Sequence, residues 1–293
     1  MRRFILGTDW WTDCDDAVAL RMLTRAHRAG EIRLLGIALN GCMPYSVASM
    51  RGFLLADGVS EMPIGIDLDG TDFGGEPPYQ KRLAEDFAPT VENTDAEDAV
   101  RLYRRLLAAS DGGVELVEIG YMQVLANLLR SEGDDLSPLD GSSLVREKVS
   151  RIWMMAGKWD KDGERENNFC RNLRTSEASA YICENCPVPI TFLGWEVGVG
   201  VISGGKVDHS DHLYRVLCDH GSEKGRHSWD PMLVLLALVG DPTAAGYDTV
   251  RGTASVDAPT GANCFQKDET GNHAYVVKTM PDAFYADAID ARL

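Results

Sequence analysis

Four aspartates stand within eight residues near the N-terminus. The segment reads Gly7-Thr8-Asp9-Trp10-Trp11-Thr12-Asp13-Cys14-Asp15-Asp16. Asp13 can cap the helix that follows, and Asp15 and Asp16 can lie in its first turn, where the helix dipole favours each negative charge by roughly 0.3–1 kcal/mol. That local explanation does not cover Asp9, which ends the preceding strand. A divalent cation or a polyol held by the carboxylates accounts for all four, and Ca2+ is preferred over Mg2+ if backbone carbonyls also contribute.

The elements on either side place this cluster at the edge of a sheet. The apolar run at residues 4–6 predicts a short buried strand, and residues 17–23 have the apolar spacing of the inner face of a helix that ends near Gly30. A turn from a strand into a helix opens at the carboxyl edge of a sheet, where α/β proteins bind their ligands. The sequence therefore predicts a ligand site at this turn.

The rest of the chain alternates between strand and helix patterns. Buried strands are predicted at residues 33–39, 63–66, 114–119, 152–155 and 188–193. Helices are predicted at residues 46–57, 95–109, 171–185, 210–219 and 281–291, with another that begins at Pro231. Alternating patterns at 247–256 and 274–278 predict antiparallel strands at the sheet edge. This order indicates an α/β fold with a mostly parallel open sheet and helices on both faces. No linker rich in Pro, Gly or Ser divides the chain, so we expect a single domain over residues 1–293.

Composition and charge exclude several classes of partner. A formal net charge of −16 argues against nucleic acid, whose phosphates require clustered Lys and Arg. No apolar stretch approaches the roughly 18 residues that span a bilayer, so we expect no membrane association and a cytoplasmic location. Seven cysteines form an odd set that suits a reducing compartment. The pairs Cys183-x-x-Cys186 and His209-x-x-His212 lack further ligands, and we interpret neither as a metal site.

The N-terminal cluster resembles a known family signature. Its pattern Thr8-Asp9-x-x-Thr12-Asp13-x-Asp15-Asp16-Ala17 resembles that of the inosine-uridine type nucleoside hydrolases, in the variant with two extra residues before the Asp-Asp pair. Gly7 stands where the commoner form has another aspartate, and Trp10 and Trp11 replace small or aliphatic residues. The resemblance implies a nucleoside hydrolase-like domain with a Rossmann-like core, a homodimer or homotetramer, and a role in purine or pyrimidine salvage.

Two further segments extend the resemblance to the metal site. Gly120–Leu129 is similar to the family's Gly-Pro-Leu-Thr-Asn-Ile-Ala turn, in which the backbone carbonyl at the Thr position binds the metal, and Gln123 stands at that position. By itself, Asp230 before Pro231 is a natural helix N-cap. The segment also resembles the family's His-Asp-Pro motif, whose Asp closes the metal site. The metal ligands that the resemblance implies are Asp9, Asp16, Gln123 and Asp230, and Asp9 is also the implied catalytic base.

The resemblance also assigns residues to the substrate. Asn40 in an Asn-Gly pair is ordinarily a turn residue, and Glu166-Asn167-Asn168 is ordinarily surface loop. Their similarity to family segments implies that Asn40, Glu166 and Asn168 bind ribose hydroxyls together with Asp15. Trp229 falls where several relatives have a His proposed as general acid. Trp cannot donate a proton at neutral pH, but its ring can stack on a base.

Three functions remain open at this point. The resemblance implies a calcium-dependent enzyme that hydrolyses the N-glycosidic bond of ribonucleosides to ribose and free base. A non-catalytic nucleoside-binding or ribose-binding protein is the alternative that Trp229 and Gly7 suggest. A metal-dependent phosphatase also uses strand-end aspartates, but Trp11 occupies the third position of its usual Asp-x-Asp. The preferred base and the general acid are not identified by the sequence.

Overall fold

The computed structural model describes residues 1–293, and an eleven-stranded open sheet runs through it. Its strand order is β4-β3-β2-β1-β5-β6-β8-β13-β11-β12-β7. The strands are β1 (Arg2–Thr8), β2 (Ile32–Leu39), β3 (Ile64–Ile66), β4 (Glu97–Asp98), β5 (Val114–Glu118), β6 (Val149–Met155), β7 (Glu164–Arg165), β8 (Ile190–Leu193), β11 (Tyr247–Val256), β12 (Ala262–Lys267) and β13 (His273–Lys278), and the short strands β9 (Ile202–Ser203) and β10 (Arg226–His227) form a separate pair. All pairs from β4 to β13 are parallel, and those that join β13, β11, β12 and β7 are antiparallel. The predicted mostly parallel sheet is confirmed.

Helices cover both faces of this sheet. They are α1 (Asp15–Arg28), α2 (Ser46–Ala56), α3 (Gln80–Phe87), α4 (Ala99–Ala108), α5 (Gln123–Arg130), α6 (Gly141–Lys148), α7 (Asn167–Cys170), α8 (Leu173–Asn185), α9 (Trp195–Gly198), α10 (His212–His220), α11 (Trp229–Val239) and α12 (Asp282–Asp290). Residues of α1, α2, α10, α11 and α12 form one large hydrophobic cluster, and those of α4, α5, α6 and α8 form a second. None of these helices has the length and apolar character needed to cross a membrane.

The central strand β1 shows how the sequence produces this two-sided core. Phe4 and Leu6 pack into the first cluster, whereas Ile5 between them packs into the second. Successive side chains of a strand point to opposite faces, so a strand that is covered on both sides must be apolar at every position. Because β2 and β5 flank β1 as parallel neighbours, the ends of all three strands meet at one edge of the sheet.

Some predicted elements differ from those observed. The helix expected at 95–109 begins only at Ala99, because the side chain of Asp98 accepts a hydrogen bond from Arg101 N and caps the helix there. The elements α3, α6 and β12 were not predicted. Helices α3 and α6 are only eight residues long, which is too short for the helical spacing of apolar residues to be recognised in the sequence. Strand β12 pairs on both sides but buries only one of its six residues, so it lacks the alternation of a half-buried strand.

Candidate active site

A cavity of about 340 Å3 opens at the carboxyl ends of the central parallel strands. Asp9 follows β1, Ile119 follows β5, Met155 ends β6 and Trp195 follows β8, and all four line this cavity. Helices α1 and α11 contribute their first turns, which carry Asp15, Asp16 and Asp230. The site therefore lies at the sheet edge that the strand-end residues predict.

Buried carboxylates form the floor of the cavity. One oxygen from each of Asp15, Asp16 and Asp230 lies within 4.8 Å of the other two, and the three residues are only 3–5% exposed. Asp9 lines the same cavity and is also buried. No Lys, Arg or His nitrogen lies within 4.0 Å of any of these four carboxylates. The floor thus concentrates negative charge without a protein cation to balance it.

This arrangement makes the charged form of each carboxyl group unfavourable. The pKa values of Asp15, Asp16 and Asp230 are raised well above the ordinary value. Burial is the largest cause, and the negative charge of neighbouring aspartates adds to it. The same two causes raise the pKa of Asp9 to about 8. A hard divalent cation would remove both penalties, since carboxylate oxygens are the donors that Ca2+ and Mg2+ prefer. The residues present therefore fit such a cation.

Short-range hydrogen bonds hold the carboxylates in place. The hydroxyl of Thr8 donates to Asp16 Oδ1, and the backbone N–H of Trp10 lies 3.3 Å from the same oxygen. The backbone N–H of Asp230 donates to Asp15 Oδ2 at 3.1 Å. The bond from Thr8 joins the end of β1 to α1, and the bond from Asp230 joins α11 to α1. Three elements therefore fix the geometry of the floor.

Trp10 and Trp11, which follow Asp9 in the signature, lie in the turn between β1 and α1. Trp10 has a φ of 47°, and its buried ring lies edge-on to Phe53 and Tyr79 at 5.5 and 5.4 Å between centroids. Its Nε1 donates to Ser49 Oγ at 2.9 Å. Trp11 points the other way and forms a wall of the cavity. A left-handed backbone is costly for a bulky residue, and we attribute its persistence at Trp10 to this packing.

Asp13 does not cap α1, contrary to the local explanation of the cluster. The N-cap is Cys14, and the Asp13 carboxylate instead receives two hydrogen bonds from Arg226, at 2.8 Å from Nε and 2.6 Å from Nη2. Burial alone would raise the pKa of Asp13, but the bonds from Arg226 outweigh it and lower the pKa. Asp13 is therefore the one aspartate of the cluster that a protein cation neutralises. Asp230 is likewise not the N-cap of α11, which is Ser228.

Glu166 and Asn168 line the cavity next to the aspartates, where the family resemblance expects them. Glu166 accepts hydrogen bonds from the backbone N–H groups of Asn168 and Gly157, each at 3.0 Å. Burial raises the pKa of Glu166 to about 7, although these bonds act in the opposite direction. The side-chain amide of Asn168 donates to Met155 O at 2.9 Å. Their binding to ribose stays a prediction.

Asn40 and Gln123 lie behind the cavity wall instead of lining it. Asn40 Oδ1 accepts from Tyr121 N at 2.8 Å, and the Gln123 side chain donates to Asn40 O. These bonds hold the turn after β5 against the end of β2. The ribose role of Asn40 and the metal role of the Gln123 carbonyl stay predictions.

Aromatic side chains form part of the rim. Trp229 lines the cavity, and its ring stacks on that of Trp195 with 6.3 Å between centroids. Its Nε1 donates to Trp195 O at 2.9 Å, and Trp195 is 39% exposed. The ring of His227 lies 5.2 Å from that of Trp229 but does not line the cavity. Sequence reasoning missed Trp195 as a site residue, although its position directly after a buried strand was a usable signal.

The fold and this site together define the class of structure. A scan against protein-family models found no match, and a search of curated proteins also found none. Solved structures, in contrast, match over nearly the whole chain. The architecture is that of the nucleoside hydrolases, which confirms the resemblance read from the sequence at the level of the fold.

Three solved structures illustrate this similarity. The purine-preferring ribonucleoside hydrolase from Gardnerella vaginalis is 17% identical with a TM-score of 0.72, and the match covers 99% of this chain and 98% of that one. The inosine-uridine preferring nucleoside hydrolase from Bacillus anthracis is 15% identical with a TM-score of 0.70, covering 100% and 99%. The type III effector protein XopQ, solved with adenosine diphosphate ribose, is 15% identical with a TM-score of 0.69, covering 99% and 93%.

Proposed function

We propose that this protein hydrolyses the N-glycosidic bond of ribonucleosides and releases ribose and the free base. The observation that carries the proposal is the floor of the cavity, where Asp9, Asp15, Asp16 and Asp230 are buried together without a protein cation. The nucleoside hydrolase fold and the chemistry named for two of the similar structures support the same activity.

The floor has the donor set for a divalent cation, and we propose Ca2+. Asp9, Asp16 and Asp230 would hold it with the backbone carbonyl of Gln123, and Asp15 lies close enough to Asp16 and Asp230 to take part. When bound, such a cation lowers the pKa of a water molecule and screens the repulsion among the carboxylates.

The remaining steps use side chains of this chain. The Asp9 carboxylate accepts a proton from the attacking water, whose oxygen forms a bond to C1′ of the ribose, while the electron pair of the breaking bond moves to the base nitrogen. Positive charge develops on the sugar, and the surrounding carboxylates stabilise it. Glu166, Asn168 and Asp15 would bind the ribose hydroxyls. A deoxyribose would leave some of these buried groups unpaired, so a ribonucleoside is preferred.

The test is release of ribose from inosine, uridine and 4-nitrophenyl riboside in the presence of Ca2+. The Asp9→Asn variant should lower kcat by roughly 10²- to 10⁴-fold, the range for loss of a general base. Asp72→Asn is the matched control, because Asp72 is an exposed aspartate outside the cavity that pairs with Arg174.

Two results would contradict the proposed hydrolysis or the role of Asp9 in it. If the wild-type protein binds ribose or nucleosides tightly but releases no sugar with Ca2+ or Mg2+, it is a binding protein. The stacked Trp229, whose indole cannot donate a proton to a departing base, is the feature that favours this second function. Equal activity of Asp9→Asn and the wild type would remove Asp9 as the base.

A further inference from the structure

Charge is distributed unevenly between the floor and the rim of the cavity. The buried floor carries the aspartates and Glu166, whereas Asn167, Arg171 and Trp195 are exposed and mark the rim. Arg171 is the only Lys or Arg among the residues that line the cavity. The cavity is therefore negative at its base, and Arg171 is the one cation of its lining. Arg226 lies 5.5 Å from the ring centroid of Trp229, but Asp13 neutralises it.

The Arg171 guanidinium is held in place without being neutralised. Its Nε donates to Phe73 O at 2.9 Å, and its Nη2 donates to the same carbonyl. The guanidinium carbon lies 4.4 Å from the ring centroid of Trp11, a favourable cation–π distance. Phe73 in turn stacks on Tyr121 with 3.8 Å between centroids. No carboxylate lies within 4.0 Å of Arg171, so no ion pair balances the guanidinium at the rim.

Cleavage of a glycosidic bond also separates charge along the direction from the floor of the cavity to its rim. The sugar carbon becomes positive and the base nitrogen becomes negative as the bond breaks. With the ribose on the floor, the departing base extends towards the rim, where Trp229 carries an indole that cannot supply a proton. The base must therefore be protonated by another group or leave as an anion.

We propose that Arg171 stabilises the departing base as an anion and so replaces a general acid. This inference rests on the nucleoside hydrolase activity proposed above. The C1′–N bond breaks, its electron pair stays on the base nitrogen, the water oxygen bonds to C1′, and one water proton passes to Asp9. The base anion leaves beside the guanidinium and takes its proton from solvent. A fixed positive group at the point where charge develops lowers the barrier without being rearranged.

The proposal also bears on the chemistry of the leaving base. Bases that carry carbonyl oxygens and form stable anions, such as hypoxanthine, xanthine and uracil, suit a guanidinium, which only donates hydrogen bonds. Adenine and cytosine place an amino group where these bases have an oxygen.

The experiment compares two leaving groups in the wild type and in Arg171→Met. Uridine has a poor leaving group that needs stabilisation, whereas 4-nitrophenyl riboside has a good one. The ratio of kcat/KM for uridine to that for 4-nitrophenyl riboside should fall roughly 100-fold in Arg171→Met, as for removal of one transition-state donor. Arg171→Lys keeps the positive charge and should recover part of the ratio.

Arg174→Met is the matched control. Arg174 holds the same loop through Asp67 and Asp72 but does not line the cavity. Its loss should leave the ratio at the wild-type value, even if both rates fall. Across ribosides of increasingly weak phenol acids, kcat should also decline more steeply for Arg171→Met than for the wild type.

Each outcome of this comparison supports or overturns the role proposed for Arg171. A selective loss on uridine supports the proposal. Equal losses on both substrates in Arg171→Met, or the same change of ratio in Arg174→Met, would show that Arg171 only holds the loop and would overturn it. If the wild type cleaves neither substrate, the hydrolase function itself fails and this inference fails with it.

Discussion

Glu118 is the buried acid whose role the sequence pattern did not reveal. It ends β5 beside Gly7, and a Cβ at position 7 would overlap its carboxylate. The hydroxyl of Tyr103 donates to Glu118 Oε1 at 2.6 Å. This explains why an aspartate cannot stand at position 7, where the family signature usually has one.

We predict that Glu118→Gln stabilises the protein more at pH 8 than at pH 5. Burial raises the pKa of Glu118 to about 7 from 4.5, although the Tyr103 bond lowers it. The folded protein therefore favours the protonated acid, and this contribution to stability is present below pH 4.5 and lost as the pH rises to about 7 and above. A pKa difference of about 2.5 corresponds to at most about 3.4 kcal/mol in the free energy of unfolding.

Urea unfolding of both proteins at the two pH values measures this difference. Glu115→Gln on the same strand is the control, because Glu115 accepts hydrogen bonds from Arg2 and from Trp153 Nε1. Its loss should lower the free energy of unfolding at both pH values. The same pH dependence in Glu118→Gln and the wild type would contradict the assignment.

The turn between β1 and α1 is the element on which the site depends. It carries Asp9 at one end and Asp15 and Asp16 at the other, and Trp10 fastens its middle to the core. Because Trp10 N also approaches Asp16 Oδ1, a change in the packing of this ring moves the carboxylate floor. Stability and metal binding should therefore be coupled through Trp10.

Trp10→Ala should lower the free energy of unfolding by about 3–5 kcal/mol, the usual cost of deleting a large buried side chain. It should also weaken binding of Ca2+, since the backbone around Asp16 loses its anchor. Chemical unfolding and calorimetric titration with Ca2+ measure the two effects. Trp195→Ala removes an equally large but 39% exposed ring and should cost much less stability. Full stability of Trp10→Ala would show that the turn does not need this anchor.

Across the whole molecule, acidic residues exceed basic ones by 16. Some buried charges are balanced locally, as Arg21 is by Asp57 and Asp211. The floor of the cavity is different, because its aspartates have no basic partner and their pKa values are raised. A bound cation is thus expected to stabilise the folded protein as well as to assist the proposed reaction.

We predict that Ca2+ raises Tm and that a chelator lowers it. At a free concentration 100 times Kd, the stabilisation is about 2.7 kcal/mol. Asp230→Asn should raise the Tm of the metal-free protein, because one repelling charge is gone, but should abolish most of the response to Ca2+. Asp72→Asn should respond to Ca2+ like the wild type. A Tm that is indifferent to Ca2+, Mg2+ and chelator would argue against a metal at the floor.

Much of the architecture was predictable because it follows from local patterns. Continuous apolar runs indicated the strands that are covered on both faces, and their regular alternation with helices indicated a parallel sheet. In a parallel sheet the strand ends meet at one edge, so the sequence alone places Asp9 at a site. The family resemblance then assigned Asp230, which lies far along the chain from Asp9, to the same site.

Partners that come from distant segments were not predictable. Asp13 and Asp15 stand two residues apart and look equivalent, yet Arg226 neutralises Asp13 while Asp15 faces Asp230. Arg171 and Glu118 gave no sequence signal, since exposure, burial and neighbouring charge decide what each can do. Periodicity depends on neighbours along the chain, whereas the electrostatics of a side chain depend on groups that folding brings together from hundreds of residues away.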